Sequence, residues 1–207
     1  MSGKLYFKYG CMNSGKSLML LSQAHSLEDQ GVPVLCMKPS TDIRDGEGVI
    51  KSRMGIEKEC IMVDSDLNIL EYMEDYFVNL TLRAMEPPKW VIVDESQFLY
   101  PEQIEQLAEL ADKHCVSVVC YGLRTDFTGH LFPGSKRLIE LADCIEEIKM
   151  SCSCGRKATM NARFDEDGNI ITEGDVVAIG GNGMYRALCR RCYNGLVHKM
   201  KLETHTL

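Results

Sequence analysis

The sequence has no excess of positive charge. Its 207 residues include 23 Lys and Arg against 30 Asp and Glu, so the formal net charge is −7, and the sequence pI is about 5.3. Nucleic-acid-binding proteins contact phosphates through clustered Lys and Arg, and this charge balance gives that class little support. The hydrophobic fraction of 45% and the charged fraction of 26% are typical of globular proteins. We therefore expect no nucleic-acid partner.

Long apolar runs are missing as well. No stretch approaches the roughly 20 apolar residues of a membrane helix, and residues 1–9 do not have the pattern of a signal peptide. We therefore expect a cytoplasmic protein with no membrane partner. We find no internal repeat and no low-complexity segment, and the length predicts one α/β domain with a small appendage.

Apolar runs alternate with helical periodicity over the first 150 residues. We predict strands at residues 4–10, 32–39, 60–63, 90–94, 116–123 and 144–150. We predict helices at residues 15–30, 66–80, 101–114 and 135–142. Such alternation predicts a parallel sheet with helices on both faces. Residues 40–58 are polar and contain several Gly, and we expect a mobile loop there.

The pattern changes after residue 150. Short strand-like runs, clustered cysteines and Asp-Gly turns follow, and Asp167-Gly168 predicts a hairpin between two of these runs. We therefore predict an α/β domain at 1–150, a small cysteine-containing domain at 151–193 and a weakly structured tail at 194–207; the motifs below give the first a nucleotide-binding role and the second a zinc-binding role.

A complete G-x-x-x-x-G-K-S pattern lies between the first predicted strand and the first predicted helix. Its glycines permit a tight turn whose backbone N–H groups converge on phosphates beside a helix N-terminus. The Lys would reach the β- and γ-phosphates, and the Ser would bind Mg²⁺. The pattern predicts a P-loop NTPase-type sheet that binds ATP through Gly10, Cys11, Met12, Asn13, Ser14, Gly15, Lys16 and Ser17.

A second acidic element follows the apolar run "WVIVD" at residues 90–94. A carboxylate at the end of such a strand holds Mg²⁺ in P-loop proteins, and we assign this role to Asp94. Glu95 follows at the edge of the sheet where α/β proteins bind their ligands. We expect the twist at the strand end to turn both carboxylates to the crevice. Glu95 would then accept a proton from an attacking hydroxyl or water.

The cysteines form two close pairs late in the chain. Four thiolates in two pairs match a tetrahedral Zn²⁺ site, and a small segment with little apolar area benefits from a metal. We predict a structural zinc held by Cys152, Cys154, Cys189 and Cys192. The other six lie mostly in apolar runs and are interpreted as buried thiols of a reducing cytosol: Cys11, Cys36, Cys60, Cys115, Cys120 and Cys144.

Three classes of function fit these motifs. A nucleic-acid-stimulated ATPase with a zinc ribbon would need a basic face. A GTP-dependent switch would normally carry an N-K-x-D-like guanine reader, and the sequence has none. A small-molecule kinase with a zinc-stapled lid suits the Gly-rich run "VVAIGGNGMY" at residues 176–185.

Four motifs together resemble one family. "GCMNSGKS", "DESQF", "YGLRTDF" and "IGGNGMY…CRRCY" occur in the order found in the type II, zinc-containing cytosolic thymidine kinases, and the resemblance extends from residue 4 to about residue 193. The best-matching members are bacterial. The resemblance implies transfer of the γ-phosphate of ATP to the 5′-hydroxyl of thymidine, and of deoxyuridine as well, in nucleotide salvage.

The resemblance also implies roles for individual residues. Glu95 would be the base acting on the 5′-hydroxyl, and Asp42 and Arg44 resemble a D-x-R element near the phosphate donor. The second nucleotide-binding segment would be Asp94, Glu95, Ser96 and Gln97. The nucleoside would contact Phe127, Val176, Val177, Ala178, Ile179, Gly180 and Tyr185, the later residues forming a lasso. The family usually has C-x-x-C at its first cysteine pair, whereas this chain has Cys152-x-Cys154. A homotetramer and inhibition by thymidine triphosphate are implied too.

Overall fold

The computed structural model describes residues 3–43, 46–176 and 184–204. The strands in these residues are β1 (Leu5–Gly10), β2 (Val34–Pro39), β3 (Val49–Lys51), β4 (Glu57–Glu59), β5 (Ile61–Val63), β6 (Trp90–Val93), β7 (Ser117–Gly122), β8 (Cys144–Ile148), β9 (Met160–Phe164), β10 (Ile170–Ile171) and β11 (Tyr185–Leu188). The helices are α1 (Lys16–Asp29), α2 (Ile69–Leu82), α3 (Pro101–His114), α4 (Pro133–Leu141) and α5 (Arg190–Thr204).

The main sheet is parallel throughout its described strands. Its order is β5-β2-β6-β7-β1-β8, and every pairing in it is parallel. The carboxyl ends of β1, β6 and β7 therefore meet at one edge, where α/β sheets bind ligands. The parallel sheet predicted from the alternating pattern is confirmed, and α3 has the predicted bounds.

Both faces of this sheet are covered. One face carries α2, α3 and α4, whose buried side chains join the largest apolar cluster. The other face carries α1, and Ile50 of the β3–β4 hairpin packs into the same cluster as α1. Burial on both sides explains why β6 and β7 are continuous apolar runs, because alternate residues such as Val91 and Ile92 enter opposite clusters.

Two expectations about irregular segments were wrong. The expected loop at 40–58 contains the antiparallel hairpin of β3 and β4, whose turn includes Gly55 at φ 81°. Residues 194–204 of the expected weak tail belong to α5, because Val197 and Met200 pack against a buried cluster at helical spacing from Tyr193.

The C-terminal strands and α5 form a separate small unit, which we call the cysteine module (residues 151–176 and 184–204). β9 pairs with β10 and β11 in an antiparallel sheet. Gly168 has φ 83° in the turn between β9 and β10, which confirms the predicted hairpin. The domain boundaries at 150 and 193 stay a prediction. Among the described helices, none is both long and apolar enough to cross a membrane.

Candidate active site

The loop between β1 and α1 has the turns that phosphate binding requires. Asn13 and Gly15 have positive φ values of 66° and 82°. A Cβ at Gly10 would lie 2.3 Å from Ser14 Oγ, so this position has no room for a side chain. Lys16 opens α1, is 6% exposed, and donates a hydrogen bond from Nζ to the Cys11 carbonyl oxygen at 3.1 Å. The loop therefore presents N–H groups and a helix N-terminus to the same space.

Asp94 is buried directly after β6. Its carboxylate accepts a hydrogen bond from the Glu95 N–H at 3.0 Å, and Ser17 lies in the same pocket wall. Burial, followed by the negative charge of Glu95, raises the pKa of Asp94 to about 7, while Ser17 and Lys16 oppose this shift. A cation bound beside Asp94 and Ser17 would favour the carboxylate, so this pair of oxygens fits Mg²⁺.

Glu95 is held by Gln97. Glu95 is 8% exposed and adopts a left-handed conformation, with φ 47° and ψ 35°, before the short 3₁₀ helix Ser96–Phe98. The Gln97 side-chain amide donates to the Glu95 carboxylate, and its oxygen accepts from the Leu123 N–H at 2.9 Å. Since β6 ends at Val93, this turn, rather than the strand twist expected from sequence, directs the carboxylate.

These groups line one pocket of about 510 Å³. The predicted residues in its wall are Met12, Asn13, Gly15, Lys16, Ser17, Asp94 and Glu95. The turn of the β3–β4 hairpin forms the opposite wall with Lys51, Ser52, Arg53, Met54 and Gly55. The cationic and anionic groups of a phosphate-transfer site therefore face one space.

Sequence reasoning missed the hairpin side of this pocket. The Arg53 guanidinium donates to the Asn13 side-chain oxygen of the phosphate loop. No carboxylate in the described part of the chain pairs with Arg53, and the buried Ser52 Oγ has no hydrogen-bond partner there. An unpaired cation and an orphaned hydroxyl at a pocket wall fit a phosphate ligand. The signal was two short strand-like runs around Met54-Gly55.

The D-x-R element is only partly described. Asp42 is 5% exposed and follows β2, which runs parallel beside β6, so Asp42 and Asp94 lie at the same edge of the sheet. Lys38 is 1% exposed and donates from Nζ to the Gly46 carbonyl oxygen at 3.1 Å, which anchors the segment after β2. Arg44 lies outside the described residues.

Three of the expected nucleoside contacts are described, and none of them lines the phosphate pocket: Phe127, Val176 and Tyr185. Phe127 is buried in the loop after β7, and the Arg163 guanidinium carbon lies 5.4 Å from its ring centroid. Tyr185 lies opposite Arg163 in the pairing of β11 with β9. Arg163 is therefore next to both aromatic residues that are predicted to contact the nucleoside. Val176 is 41% exposed. Val177, Ala178, Ile179 and Gly180 lie outside the described residues.

The four predicted zinc ligands converge. The sulfur atoms of Cys152, Cys154, Cys189 and Cys192 lie within 4.8 Å of one another. Tetrahedral coordination at Zn–S distances of about 2.3 Å puts sulfurs about 3.8 Å apart, and the Cys154–Cys189 distance is 3.6 Å. The cluster therefore fits Zn²⁺ with all four positions filled by sulfur.

Hydrogen bonding inside this cluster favours a thiolate at one end. Backbone N–H groups of Cys154 and Cys189 lower the pKa of Cys152 to about 6, and hydrogen bonds with the neighbouring sulfurs raise the pKa of Cys192 to about 12. Without a cation, the four sulfurs are not all thiolates at once, because their negative charges would repel one another. A divalent metal would stabilise all four as thiolates.

Comparisons with known proteins agree with the site. The thymidine kinase family model matches residues 3–193. The chain is 46% identical to the thymidine kinase of Vibrio cholerae over 92% of this chain and 96% of that protein. It is 46% identical to that of Chromobacterium violaceum, over 92% and 98%, and 43% identical to that of Agrobacterium fabrum, over 91% and 94%. A family model spanning most of the chain and relatives matched over nearly their whole length lead to one conclusion: the chain belongs to the thymidine kinase family.

Proposed function

We propose that this chain transfers the γ-phosphate of ATP to the 5′-hydroxyl of thymidine, with Glu95 as the general base. The observation that carries the proposal is that Lys16 of the phosphate loop and the oriented Glu95 carboxylate line one pocket. A phosphate-binding cation and a proton acceptor in the same space are what transfer to a hydroxyl requires.

The phosphate side of the pocket would bind the triphosphate through backbone and cationic groups. N–H groups of the loop from Gly10 to Ser17 would contact the phosphates. Lys16 would exchange its hydrogen bond to Cys11 for the β- and γ-phosphates. Arg53 on the hairpin adds positive charge to the opposite wall, whereas Lys51 there forms a salt bridge with Glu57. Three of the predicted ATP-binding residues do not line the pocket and would act from behind its wall: Asp42, Ser96 and Gln97.

Ser17 and Asp94 would hold Mg²⁺ beside the phosphates. Both residues line the phosphate pocket, so a hydroxyl and a carboxylate oxygen face the same space. When bound, the ion would neutralise charge on the phosphoryl oxygens. Asp94 must be ionised for this role, and its raised pKa of about 7 makes metal binding compete with a proton.

Glu95 would orient the 5′-hydroxyl and take its proton as the phosphoryl group is transferred. The transition state of such transfers is loose, so positioning contributes more than basicity. Gln97 provides the positioning, because it links the Glu95 carboxylate to the backbone N–H that follows β7.

The nucleoside would lie between Phe127, Tyr185 and the lasso of Val176–Gly180. The lasso sequence has few polar side chains, so backbone N–H and C=O groups would read the base. Thymine and uracil present an acceptor at O4 and a donor at N3, whereas cytosine reverses both. Two mismatched buried groups at about 1–3 kcal/mol each would reject deoxycytidine about 10²–10⁴-fold.

A substrate panel tests the proposal. Phosphoryl transfer from ATP is measured with thymidine, deoxyuridine, deoxycytidine, RNA and DNA. We expect phosphorylation of thymidine and deoxyuridine and little of deoxycytidine. Comparable kcat/KM for thymidine and deoxycytidine would contradict backbone reading of the base. ATP hydrolysis stimulated by RNA or DNA, without nucleoside phosphorylation, would replace the kinase with an ATPase.

The finer properties belong to the same proposal. The protein would be a cytoplasmic homotetramer that is inhibited by thymidine triphosphate, and its zinc would be structural. Size-exclusion chromatography with light scattering tests the tetramer, and a thymidine triphosphate titration of the initial rate tests the inhibition.

A further inference from the structure

The cysteine module touches the phosphate loop directly. The Cys11 side chain belongs to the apolar cluster of the module, together with Ala158 and Leu188. The next residue, Met12, donates its backbone N–H to the Asn161 side-chain oxygen on β9 at 2.8 Å. The phosphate loop is therefore in contact with the module through both packing and a hydrogen bond.

Asn161 makes a second hydrogen bond to a different loop. Its Nδ2 donates to the Thr125 carbonyl oxygen at 2.8 Å. Thr125 lies two residues before Phe127, in the loop that leaves β7 on the expected nucleoside side. One side chain, 3% exposed, thus joins the phosphate loop to the loop that carries a predicted nucleoside contact.

The side-chain amide of Asn161 satisfies both partners in this position. The Met12 N–H needs an acceptor, and the Thr125 carbonyl needs a donor. A carboxylate would accept from Met12 but would place a second oxygen against Thr125. An aliphatic side chain would leave two buried backbone groups unpaired, which is costly in a site closed to water.

The module holds the nucleoside loop through another contact as well. The Tyr193 hydroxyl, on α5, donates to the Phe127 carbonyl oxygen at 2.8 Å. Among the described residues, the Tyr193 hydroxyl makes no hydrogen bond to the phosphate loop, so variants at Tyr193 and Asn161 separate two effects. Loss of the Tyr193 bond loosens the nucleoside loop alone, whereas loss of Asn161 also frees the phosphate loop.

We propose that Asn161 is a positioning residue that fixes the distance between the phosphate loop and the Thr125–Phe127 loop, and thereby aligns the donor phosphate with the acceptor hydroxyl. This inference rests on the proposed function. Misplacement of reacting groups by about 1 Å can cost about 100-fold in rate. A misaligned acceptor also leaves the γ-phosphate open to water, so ATP would be hydrolysed without nucleoside phosphorylation.

The test compares three variants with the wild-type protein: Asn161→Leu, Asn161→Asp and Tyr193→Phe. The measurements are kcat, the KM for ATP and for thymidine, and the ratio of ADP formed to thymidine monophosphate formed. Zinc content and the melting temperature are recorded for each variant. A merely structural role would lower the active fraction without changing that ratio.

We expect Asn161→Leu to lower kcat about 10–100-fold and to raise the ADP-to-product ratio above one. Asn161→Asp keeps the acceptor for Met12 and loses the donor for Thr125. It should therefore keep the KM for ATP and still raise the ratio. Tyr193→Phe should change the KM for thymidine and leave the ratio at one.

Unchanged kcat and a ratio of one in folded Asn161→Leu would overturn the proposal. If Asn161→Leu loses zinc or melts below the assay temperature, Asn161→Asp decides: a wild-type kcat and ratio in that variant overturn the proposal. Failure of the wild-type protein to phosphorylate thymidine in the same assay would instead reject the proposed function.

Discussion

Glu95 has an uncommon backbone conformation for a residue with a side chain. Its φ of 47° lies in the left-handed region, where a non-glycine residue costs on the order of 1 kcal/mol or more. The conformation turns the chain sharply after β6, and the carboxylate then meets Gln97 inside the pocket. A strained residue kept at a polar pocket is consistent with a functional role rather than a folding role.

The general-base proposal predicts that Glu95→Gln binds substrates and loses turnover. The amide has the same shape but cannot accept the proton, and loss of a general base costs about 10²–10⁴ in kcat. Steady-state kinetics and thymidine binding by calorimetry measure the two effects. Glu102→Gln, a change at an exposed position on α3, is the control. A kcat near the wild-type value in Glu95→Gln would remove Glu95 from the mechanism.

Burial of Asp94 has opposite effects on folding stability and on activity, because the ionised carboxylate destabilises the ligand-free fold and is needed to bind Mg²⁺. Its folded pKa is raised from 3.8 to about 7, so the stability that this group contributes is present below its unfolded pKa and is lost as pH rises from about 4 to about 7. Asp94→Asn removes this loss. We expect ligand-free Asp94→Asn to gain about 1–3 kcal/mol above pH 7, after the loss of hydrogen bonds is counted, and to be inactive.

Urea unfolding at pH 5 and pH 8, without Mg²⁺ or nucleotide, measures this effect. Asp75→Asn, at an exposed position on α2, is the matched control and should follow the wild-type pH dependence. Equal pH dependence in Asp94→Asn and the wild-type protein would reject the assignment of this cost to Asp94.

Local motifs predicted the phosphate loop, the Asp94-Glu95 pair and the cysteine cluster because each is a short pattern whose spacing carries its chemistry. Arg53 and Asn161 were not predictable in this way. Arg53 contacts Asn13 across 40 residues, and Asn161 contacts Met12 across 149 residues. Such contacts depend on how elements pack, and a single arginine or asparagine has no local pattern that indicates its partner.

At the scale of elements, the β3–β4 hairpin is a segment that the sequence predicts to be a loop but that forms one wall of the phosphate pocket. Its short strands carry Ile50 into the core beside α1, while its turn faces the phosphate loop. The alternation of buried and exposed residues lasts only three residues per strand, too short for periodicity to separate it from a loop. Packing against α1 therefore decides its structure.

The hairpin predicts a role for Arg53 in ATP binding. Arg53→Ala removes an unpaired cation from the pocket wall, and a charged hydrogen bond at an exposed site is worth about 1–2 kcal/mol. We expect the KM for ATP to rise about 5–30-fold and the KM for thymidine to change little. The effect should diminish at high salt.

Met54→Ala is the matched control for Arg53→Ala, because Met54 lies in the same turn, is 74% exposed and has no charge. Initial rates over a range of ATP concentrations at two salt concentrations compare the variants. An identical KM for ATP in Arg53→Ala and Met54→Ala would exclude a phosphate contact by Arg53.

At the scale of the whole molecule, the cysteine module connects metal binding to the nucleotide site. Four sulfur ligands leave no open position for a catalytic water, so we expect one structural zinc per chain. Cys189→Ser should lose zinc and lower the melting temperature. It should also weaken ATP binding, because Cys11 and Met12 contact the module. Metal analysis, thermal melting and ATP titration measure these losses.

Cys144→Ser changes a thiol on β8, outside the cluster, and should keep both zinc and ATP affinity. Absence of zinc from gently purified, reduced wild-type protein would reject the metal site. Full zinc and stability in Cys152→Ser alone would remove that residue as a ligand and leave the other three.

The contact between Met12 and Asn161 also has a consequence for the order of folding during synthesis. The phosphate loop is translated before its partner in β9, which follows 149 residues later. Chains generally begin to fold from their N-terminus as they leave the ribosome. Helix α1 can form early, but β1 pairs with its neighbours only after β7 and β8 have emerged, and the loop completes its contacts only after β9 has emerged. A nascent chain therefore completes its nucleotide site only after β9 has been made, long after the phosphate loop itself has left the ribosome.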